Sequence, residues 1–453
     1  MGKNIKNRQD RSPGLSYAEI LDTDTHHVSE IWRTESPADF GTADQPSDVY
    51  TSRHFHDLEM EKIWLKVWQF ACREEHIPEI GDTEVYDIGK FSVLIVRTGV
   101  DEIKAYPNAC LHRGRLLRDC AGHATELRCP YHGYTWSLEG ELKVVPSEWD
   151  FPQVNKDEYA LTELPVGRWG GFIFISLDLD VEPFEEFLGT LSLHFENYRM
   201  DERFVEAHVA KVMRCNWKTA QEAFMEAFHL ATTHPSIITG TGDCNSRYDV
   251  FGNFARAVTP TGTPSPHLTW DPSEQEMLDA MLDRGQDEER LGVVPEGKTA
   301  REMAAMASRM RVAQVADPEW VESLSDAEMI DSIYYTLFPN FHPWGGFNRI
   351  VYRFRPFGDE HEMSIFETLY LSPFKGDRPP PAKVHWIGAD ESILEAHELG
   401  FLARVFDQDT FNMPQVQKGM HTLQLVKPGI TLSRYQETKL RHFFDIYNKY
   451  MSK

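Results

Sequence analysis

Two hydrophobic periods alternate along the chain, and the switches between them divide it. Up to about Ser47 the sequence is polar, with Pro, Gly and Asp scattered through it, and predicts an extended arm over 1–47. Over 52–66, Phe55, Leu58, Ile63 and Trp64 recur near one face, the mark of a helix. Residues 48–81 are therefore expected to form a helical lead-in that packs with the larger domain. From 82 to 178 the period shortens. Runs at 83–88, 91–97, 103–106 and 171–177 predict short strands, with Gly89, Lys90 and Gly99 at turns.

Beyond this block, 204–213 predicts a strand and 216–230 a helix, whereas 237–271 is rich in Gly, Thr and Pro and predicts a loop. Two charged helical segments follow within 272–316. Met303, Met306 and Met310 there fall at helical spacing and are expected in the core. Strands are expected at 333–337, 349–357 and 363–371, and helices from Glu391 onward. The resulting fold class is α+β: a β domain at 82–178 inserted before a larger domain of antiparallel sheet and helices at 179–453. The stretch 237–316 is a candidate lid or insertion.

Charge narrows the function. The net charge of −25 argues against a nucleic-acid partner, which needs a basic face, and suits steering of a basic protein partner. No run approaches the roughly 18 apolar residues of a membrane span, and no apolar stretch follows the N-terminal charges, so a cytoplasmic protein is expected. Six cysteines are then expected to be reduced: Cys72, Cys110, Cys120, Cys129, Cys215 and Cys244. The question becomes which of them bind metal.

Cys110-Leu-His112 and Cys129-Pro-Tyr-His132 lie in the β block and supply two Cys and two His from two loops. Gly114 and Gly133 follow each pair and are expected to let the backbone approach closely. Thiolate and imidazole suit zinc or an iron–sulfur cluster. Zinc modules more often begin with a CxxC pair, whereas two Cys with two His is the ligand set of a Rieske [2Fe–2S] cluster. Cys120 and His123, between the pairs, fit neither pattern.

A second constellation follows. Asn216 to His229 reads as one helix that places Glu222, Glu226 and His229 on a shared face, with Lys218 able to pair with Glu222. His234 lies about 140° further round an ideal helix, so both imidazoles can reach one metal only if the helix breaks between them. Thr232, Thr233 and Pro235 supply that break. Two His and one carboxylate with open positions form the facial triad of non-haem Fe(II) oxygenases. The carboxylate must come from a distant segment. Leu402, Phe406, Asp409, Met413 and Val416 form one inward stripe on a helix over 394–419. An acid on such a stripe is costly unless it is paired or bound to metal, which selects Asp409, with Asp407 as the alternative.

CLHRG at 110–114 and CPYHGYTW at 129–136 resemble the two Rieske boxes of ring-hydroxylating oxygenases. NWKxxxE with ExFHxxxxHP resembles the mononuclear iron motif of the same family, and FDQDTFNMPQVQKG its late acidic segment before a QxG. The resemblance covers most of the chain from about Tyr50. It implies cluster ligands Cys110, His112, Cys129 and His132, iron ligands His229, His234 and Asp409, and Glu226 as the carboxylate linking the iron to a neighbouring subunit's cluster. The family commonly has Asp at that position, and Glu is seen more in relatives acting on choline- or carnitine-like amines.

Further expectations follow from the family: a head-to-tail homotrimer, possibly with a beta subunit, and O2 as co-substrate. No GxGxxG or P-loop is present, so electrons from NAD(P)H must arrive through a separate ferredoxin or reductase. The substrate is expected to be small, apolar and aromatic, in a pocket drawn from Met225, Phe228, Leu230, Phe338, Phe341, Trp344, Phe347, Leu399 and Phe406. The rival readings are a monooxygenase or dealkylase, an electron-transfer protein with the cluster alone, and a zinc-stabilised binding module.

Overall fold

A computed structural model describes residues 14–281, 293–346 and 348–453, and the chain forms two compact units. One takes in 56–187 with 356–360, and the other the remainder of the described chain.

The smaller unit is built of short strands. β1 (Gln69–Arg73), β9 (Val166–Trp169) and β10 (Phe172–Ile175) form one sheet in the order β9-β10-β1. β2 (Asp82–Ile88), β3 (Phe91–Arg97), β4 (Ile103–Pro107) and β5 (Gly122–His123) form a second, β4-β3-β2-β5. β6 (Leu127–Arg128), β7 (Thr135–Trp136) and β8 (Leu142–Val144) form a third. The expected lead-in at 48–81 divides at Phe55. From His56 on it belongs with the strands, because β1 pairs antiparallel with β10. Its helix runs Arg53–Glu59 and widens into a π-helical turn at Met60–Trp64.

The core of the larger unit lies against an eight-stranded sheet. β11 (Arg203–Met213) is followed by the short helices α1 (Trp217–Glu222) and α2 (Leu230–Thr233), then by β12 (Arg247–Phe251) and β13 (Phe254–Thr259). Helices α3 (Glu274–Met281) and α4 (Ala300–Val312) precede β14 (Ser332–Leu337), β15 (Phe341–Pro343), β16 (Ile350–Phe357), β17 (Glu360–Pro373) and β18 (His385–Ile387). The strand order is β12-β13-β14-β15-β16-β17-β11-β18. The last pair is parallel, whereas β12 to β16 are joined antiparallel in succession. Two long helices close the chain, α5 (Phe401–Leu423) and α6 (Thr438–Met451).

Three expectations are corrected here. The predicted loop over 237–271 contains β12 and β13. Its strand pattern is masked by buried charges, since Arg247 and Arg256 both pair with Asp249 inside the sheet, at 3.0 and 2.6 Å. The methionine stripe of α4 is core only at Met303, which packs half-buried against Met277, Leu278 and Ala304, while Met306 and Met310 are exposed. The buried face combines small residues, Ala300, Ala304, Ala305 and Ser308, and Val312 with two buried arginines, Arg301 and Arg309, paired to Asp331 and Asp326. The inward stripe of α5 ends early, because Val416 is exposed while Gln417 is buried. The lid expected over 237–316 therefore includes two strands of the main sheet, and its residues 282–292 lie outside the described residues.

Candidate metal centres

In the smaller unit the two Cys-His pairs sit on loops with the same hydrogen-bond plan. The Cys110 N–H donates to Arg115 O at 2.8 Å, and the Gly114 N–H returns to Cys110 O at 2.8 Å. In the second loop Cys129 N–H donates to Tyr134 O at 2.8 Å, and Gly133 N–H to Cys129 O at 3.1 Å. Gly114 and Gly133 adopt φ +75° and +77°, a left-handed conformation that costs other residues about 1–2 kcal/mol. A Cβ on Gly114 would meet nothing within 4 Å. The glycine is thus needed for its backbone angle rather than for the close approach expected from sequence.

These loops bring the rings of His112 and His132 to 4.7 Å between centroids, with both cysteines buried and free. Tyr134 stacks on His112 at 4.9 Å, and Trp136 and Leu127 complete the apolar floor. Burial, with the charges of His132 and Arg113, lowers the His112 pKa and favours its neutral ring. Its Nδ1 is buried without a hydrogen-bond partner. A buried nitrogen of this kind is costly unless something takes its lone pair, and a cluster iron would. Cys120 is exposed, and His123 bonds to Asp82 at 2.9 Å.

In the larger unit the predicted single helix over 216–229 stops at Glu222, a further departure from expectation. The chain turns through 223–229 before α2, and side chains capture the backbone groups this frees. Tyr248 Oη accepts from Ala227 N–H at 3.3 Å, and the Glu226 carboxylate accepts from His229 N–H at 3.1 Å. Glu222 and Glu226 therefore do not share a helix face. Tyr50 Oη donates to Glu222 at 2.7 Å, and the carboxyl is pushed up to about 8, chiefly by burial. The Lys218 ammonium lies over the rings of Trp217, Tyr447 and Tyr50. The break expected before Pro235 is present, with α2 ending at Thr233 and His234 leaving helical angles.

Asp409, brought in on α5, meets both imidazoles. Its Oδ1 lies 3.1 Å from His234 Nε2 and 3.6 Å from His229 Nε2. The opposite ring nitrogens are engaged elsewhere, His229 Nδ1 with Glu226 at 2.6 Å and His234 Nδ1 with Gln408 Oε1 at 2.7 Å. With both Nδ1 atoms donating, both Nε2 lone pairs converge on the Asp409 oxygen. The three ligand atoms lie within 4.8 Å of one another, as around one ion. Burial opposes a charge on His229, but Glu226 and Asp409 raise its pKa to about 9, so without a metal the imidazolium itself balances the carboxylates. Asp407 points away and accepts from Ser392 Oγ at 2.8 Å.

Sequence reasoning missed the residues that position this centre. Gln417 on α5 accepts from the Asn216 N–H and the Thr219 hydroxyl, each at 3.0 Å, and so ties the Asp409 helix to α1. The QxG pattern contained this residue but gave it no role. Gln408 was hidden between two acids that both drew attention. Tyr248, Tyr334, Trp344 and Tyr435 form one aromatic group beside the Ala227 turn. Buried Lys439 lies 4.3 Å over the Tyr334 ring. Of the expected pocket residues, Phe338 packs on Phe443 and Tyr450 of α6, and Phe341 is fully buried. Leu399 and Phe406 are core, and Phe228 is exposed. Met225 is buried, Leu230 half-buried, and Phe347 lies outside the described residues.

Comparison with known proteins agrees with this division. A family model described as the ring hydroxylating alpha subunit catalytic domain matches residues 193–453, and one for the Rieske [2Fe-2S] domain matches 67–155. The large oxygenase component of salicylate 5-hydroxylase from Ralstonia sp is 34% identical over 209 residues, 43% of this chain and 49% of the relative. The glycine betaine monooxygenase oxygenase subunit of Pseudomonas aeruginosa is 33% identical over 196 residues, 43% of this chain and 45% of the relative. The matches thus span about half the length of these curated relatives. A solved quaternary ammonium Rieske monooxygenase superposes with a TM-score of 0.64 at 17% identity, covering 90% of this chain and 95% of that one. Naphthalene 1,2-dioxygenase from Rhodococcus sp. gives 0.60 at 22% identity, covering 90% and 94%. No helix among the described residues is long and apolar enough to cross a membrane.

Proposed function

The chain belongs to the ring-hydroxylating alpha subunit family, with a Rieske domain ahead of its catalytic domain, and from that premise we propose that it is the terminal oxygenase of a multicomponent system. In this reading it hydroxylates a small apolar, aromatic substrate with O2 and electrons from a separate ferredoxin or reductase. The observation that supports it most is the convergence of His229 Nε2, His234 Nε2 and Asp409 Oδ1, with both Nδ1 atoms engaged. This donor set suits Fe(II) and leaves coordination positions free.

Cys110, His112, Cys129 and His132 would hold the [2Fe–2S] cluster. Two thiolates and two imidazoles on paired loops, with the His112 and His132 rings 4.7 Å apart, suit a cluster whose ligands divide in pairs over two irons. When bound, the cluster supplies single electrons and the iron supplies the site of dioxygen reduction.

The protein's own residues do the rest. Gln408 and Glu226 orient the imidazoles and raise their basicity through the Nδ1 protons. Tyr248 holds the turn between Glu226 and His229. Tyr352 lies close enough to Asp409 to feel its charge, and Trp344 packs edge-on against Tyr352 and stacks on Tyr334, which gives this side of the site an aromatic wall. Glu226, its carboxylate on the far side of His229 from Asp409, would connect to the cluster of a neighbouring subunit in a head-to-tail trimer. The solved quaternary ammonium monooxygenase is described in terms of such inter-subunit electron transfer.

One observation favours a second reading, oxidation of an amine substrate by monooxygenation or dealkylation. The Tyr248, Tyr334, Trp344 and Tyr435 group would attract a quaternary ammonium. Against it, Lys439 already covers the Tyr334 face. Product analysis under 18O2, with a reconstituted electron supply, separates the readings. The set would include neutral aromatics, aromatic carboxylates and quaternary amines. Labelled hydroxylated aromatic product that disappears in His234→Ala supports the first reading. A product only from the amines supports the second, and no labelled product from any of them contradicts both.

A further inference from the structure

Away from the His229, His234 and Asp409 site, one other group of metal-ligating side chains converges among the described residues of the larger unit. Asp243 and Cys244 lie on the single 3-10 turn Asp243–Asn245, and His267 lies on the loop that follows β13. Their ligand atoms all fall within 4.8 Å of one another. Asp243 Oδ2 is 3.1 Å from His267 Nδ1, and Cys244 Sγ is 3.7 Å from that same nitrogen. Bonds of about 2.3 Å to sulfur and about 2.0–2.2 Å to nitrogen and oxygen, spread tetrahedrally, put such ligand atoms about 3.3–3.6 Å apart. The observed separations bracket that range.

The setting favours a cation. Asp243 is completely buried, and its other oxygen, Oδ1, is held by the Cys244 N–H at 2.7 Å, which turns Oδ2 toward the imidazole. A buried carboxylate is costly without a positive partner, and here the His267 ring, or a metal ion held together with it, would supply that charge. The ligands are also braced from behind. Gln436 Nε2 donates to Cys244 O at 3.1 Å, Ser246 Oγ to Asp243 O at 2.6 Å, and the His267 N–H to Ser265 Oγ at 3.0 Å. A nucleophilic triad does not fit the same residues. Cys244 Sγ is equally far, 3.7 Å, from Nδ1 and Nε2, so neither nitrogen is set to take its proton, and the exposed His267 ring must turn for one of them to share an ion with the sulfur.

We propose that Asp243, Cys244 and His267 form a binding site for a divalent cation of borderline softness, zinc foremost, with water in the fourth position. The mixed sulfur, nitrogen and oxygen donors select zinc over magnesium or calcium, which require oxygen. His267, with 44% of its side chain exposed, leaves that fourth position open to solvent. A bound ion would clamp the turn at 243–245, downstream of His234, to the loop at 265–267. The proposal does not rest on the iron reading above, although Glu226 lies close enough for its charge to act on Cys244.

The test is equilibrium dialysis of the iron-loaded protein against zinc, with zinc and iron counted afterwards and the zinc X-ray absorption spectrum recorded. The expected result is about one retained zinc per chain, one sulfur among its neighbours and an unchanged iron count. Cys244→Ser should remove the sulfur neighbour, and His267→Ala, a change at an exposed side chain that leaves the fold intact, should abolish retention. No retained zinc, retention unaffected by both substitutions, or zinc gained only as iron is lost would overturn the proposal.

Discussion

The two candidate metal centres are assembled in opposite ways. In the smaller unit each Cys-His pair is contained in a six-residue loop whose backbone bonds close on themselves, from Cys110 to Arg115 and from Cys129 to Tyr134. In the larger unit the histidines come from one turn and its flanks, but the carboxylate that faces them is 175 residues further on and depends on α5 docking to α1 through Gln417. A self-contained loop states its geometry in the local sequence. A centre assembled across the chain depends on tertiary contacts that no window of sequence displays, and it should be the more easily disturbed of the two.

The largest expected effects separate the centres outright. Cys129→Ser should remove the cluster and its colour, whereas His234→Ala should keep the cluster spectrum and lower the iron count from about three to about two per chain. Turnover should fall to background in both. If His234→Ala also bleached the cluster, the two units would not be independent metal carriers.

The next contrast lies on α5. Asp409→Asn should lose the mononuclear iron, while Asp407→Asn, on the exposed face beside Ser392, should retain it, as iron analysis would show. Equal iron loss in the two variants would break the account of the apolar stripe.

A smaller effect tests the support behind the ligands. Gln408→Ala leaves His234 in place but removes the acceptor for its Nδ1 proton, and should weaken iron binding by about 10–100-fold. Titration of the metal-free protein with Fe(II) measures it, and unchanged affinity would remove Gln408 from the site.

The smallest effect is in pH. The raised pKa of His229, about 9 against an ordinary 6.5, means that its charged form stabilises the metal-free protein fully below 6.5, and that this contribution is lost as pH rises through 9. The melting temperature of the metal-free protein should therefore fall between pH 6.5 and 9. With iron bound the ring is held neutral, so that fall should be reduced. A fall of the same size in His229→Ala would assign it to other groups.

The same contrast explains what the sequence disclosed. β2 to β4, β14, β16 and β17 were legible within a few residues because apolar and aromatic residues recur through them, whereas the three-residue β15 was too short to show. β12 and β13 were not, since Arg247, Asp249 and Arg256 are buried as ion pairs and read as solvent-facing polarity. The stop of α1 at Glu222 was hidden too, because 223–229 keeps helical spacing, while the bonds that hold the turn open come from Tyr248 and from Glu226 folding back on His229. Asp409 was found because an acid on an apolar stripe calls for a partner. Gln408 and Gln417 were not, because an amide beside a ligand carries no mark of its role until its acceptor is seen.

The central claim is that one chain carries a two-iron cluster in one unit and a separate single iron in the other. Iron, zinc and acid-labile sulfide counted on anaerobically purified protein, together with the EPR spectrum after reduction, test it most directly. The account predicts about three irons and two sulfides per chain, with a Rieske signal. A colourless protein holding zinc at Cys110, His112, Cys129 and His132 would contradict it.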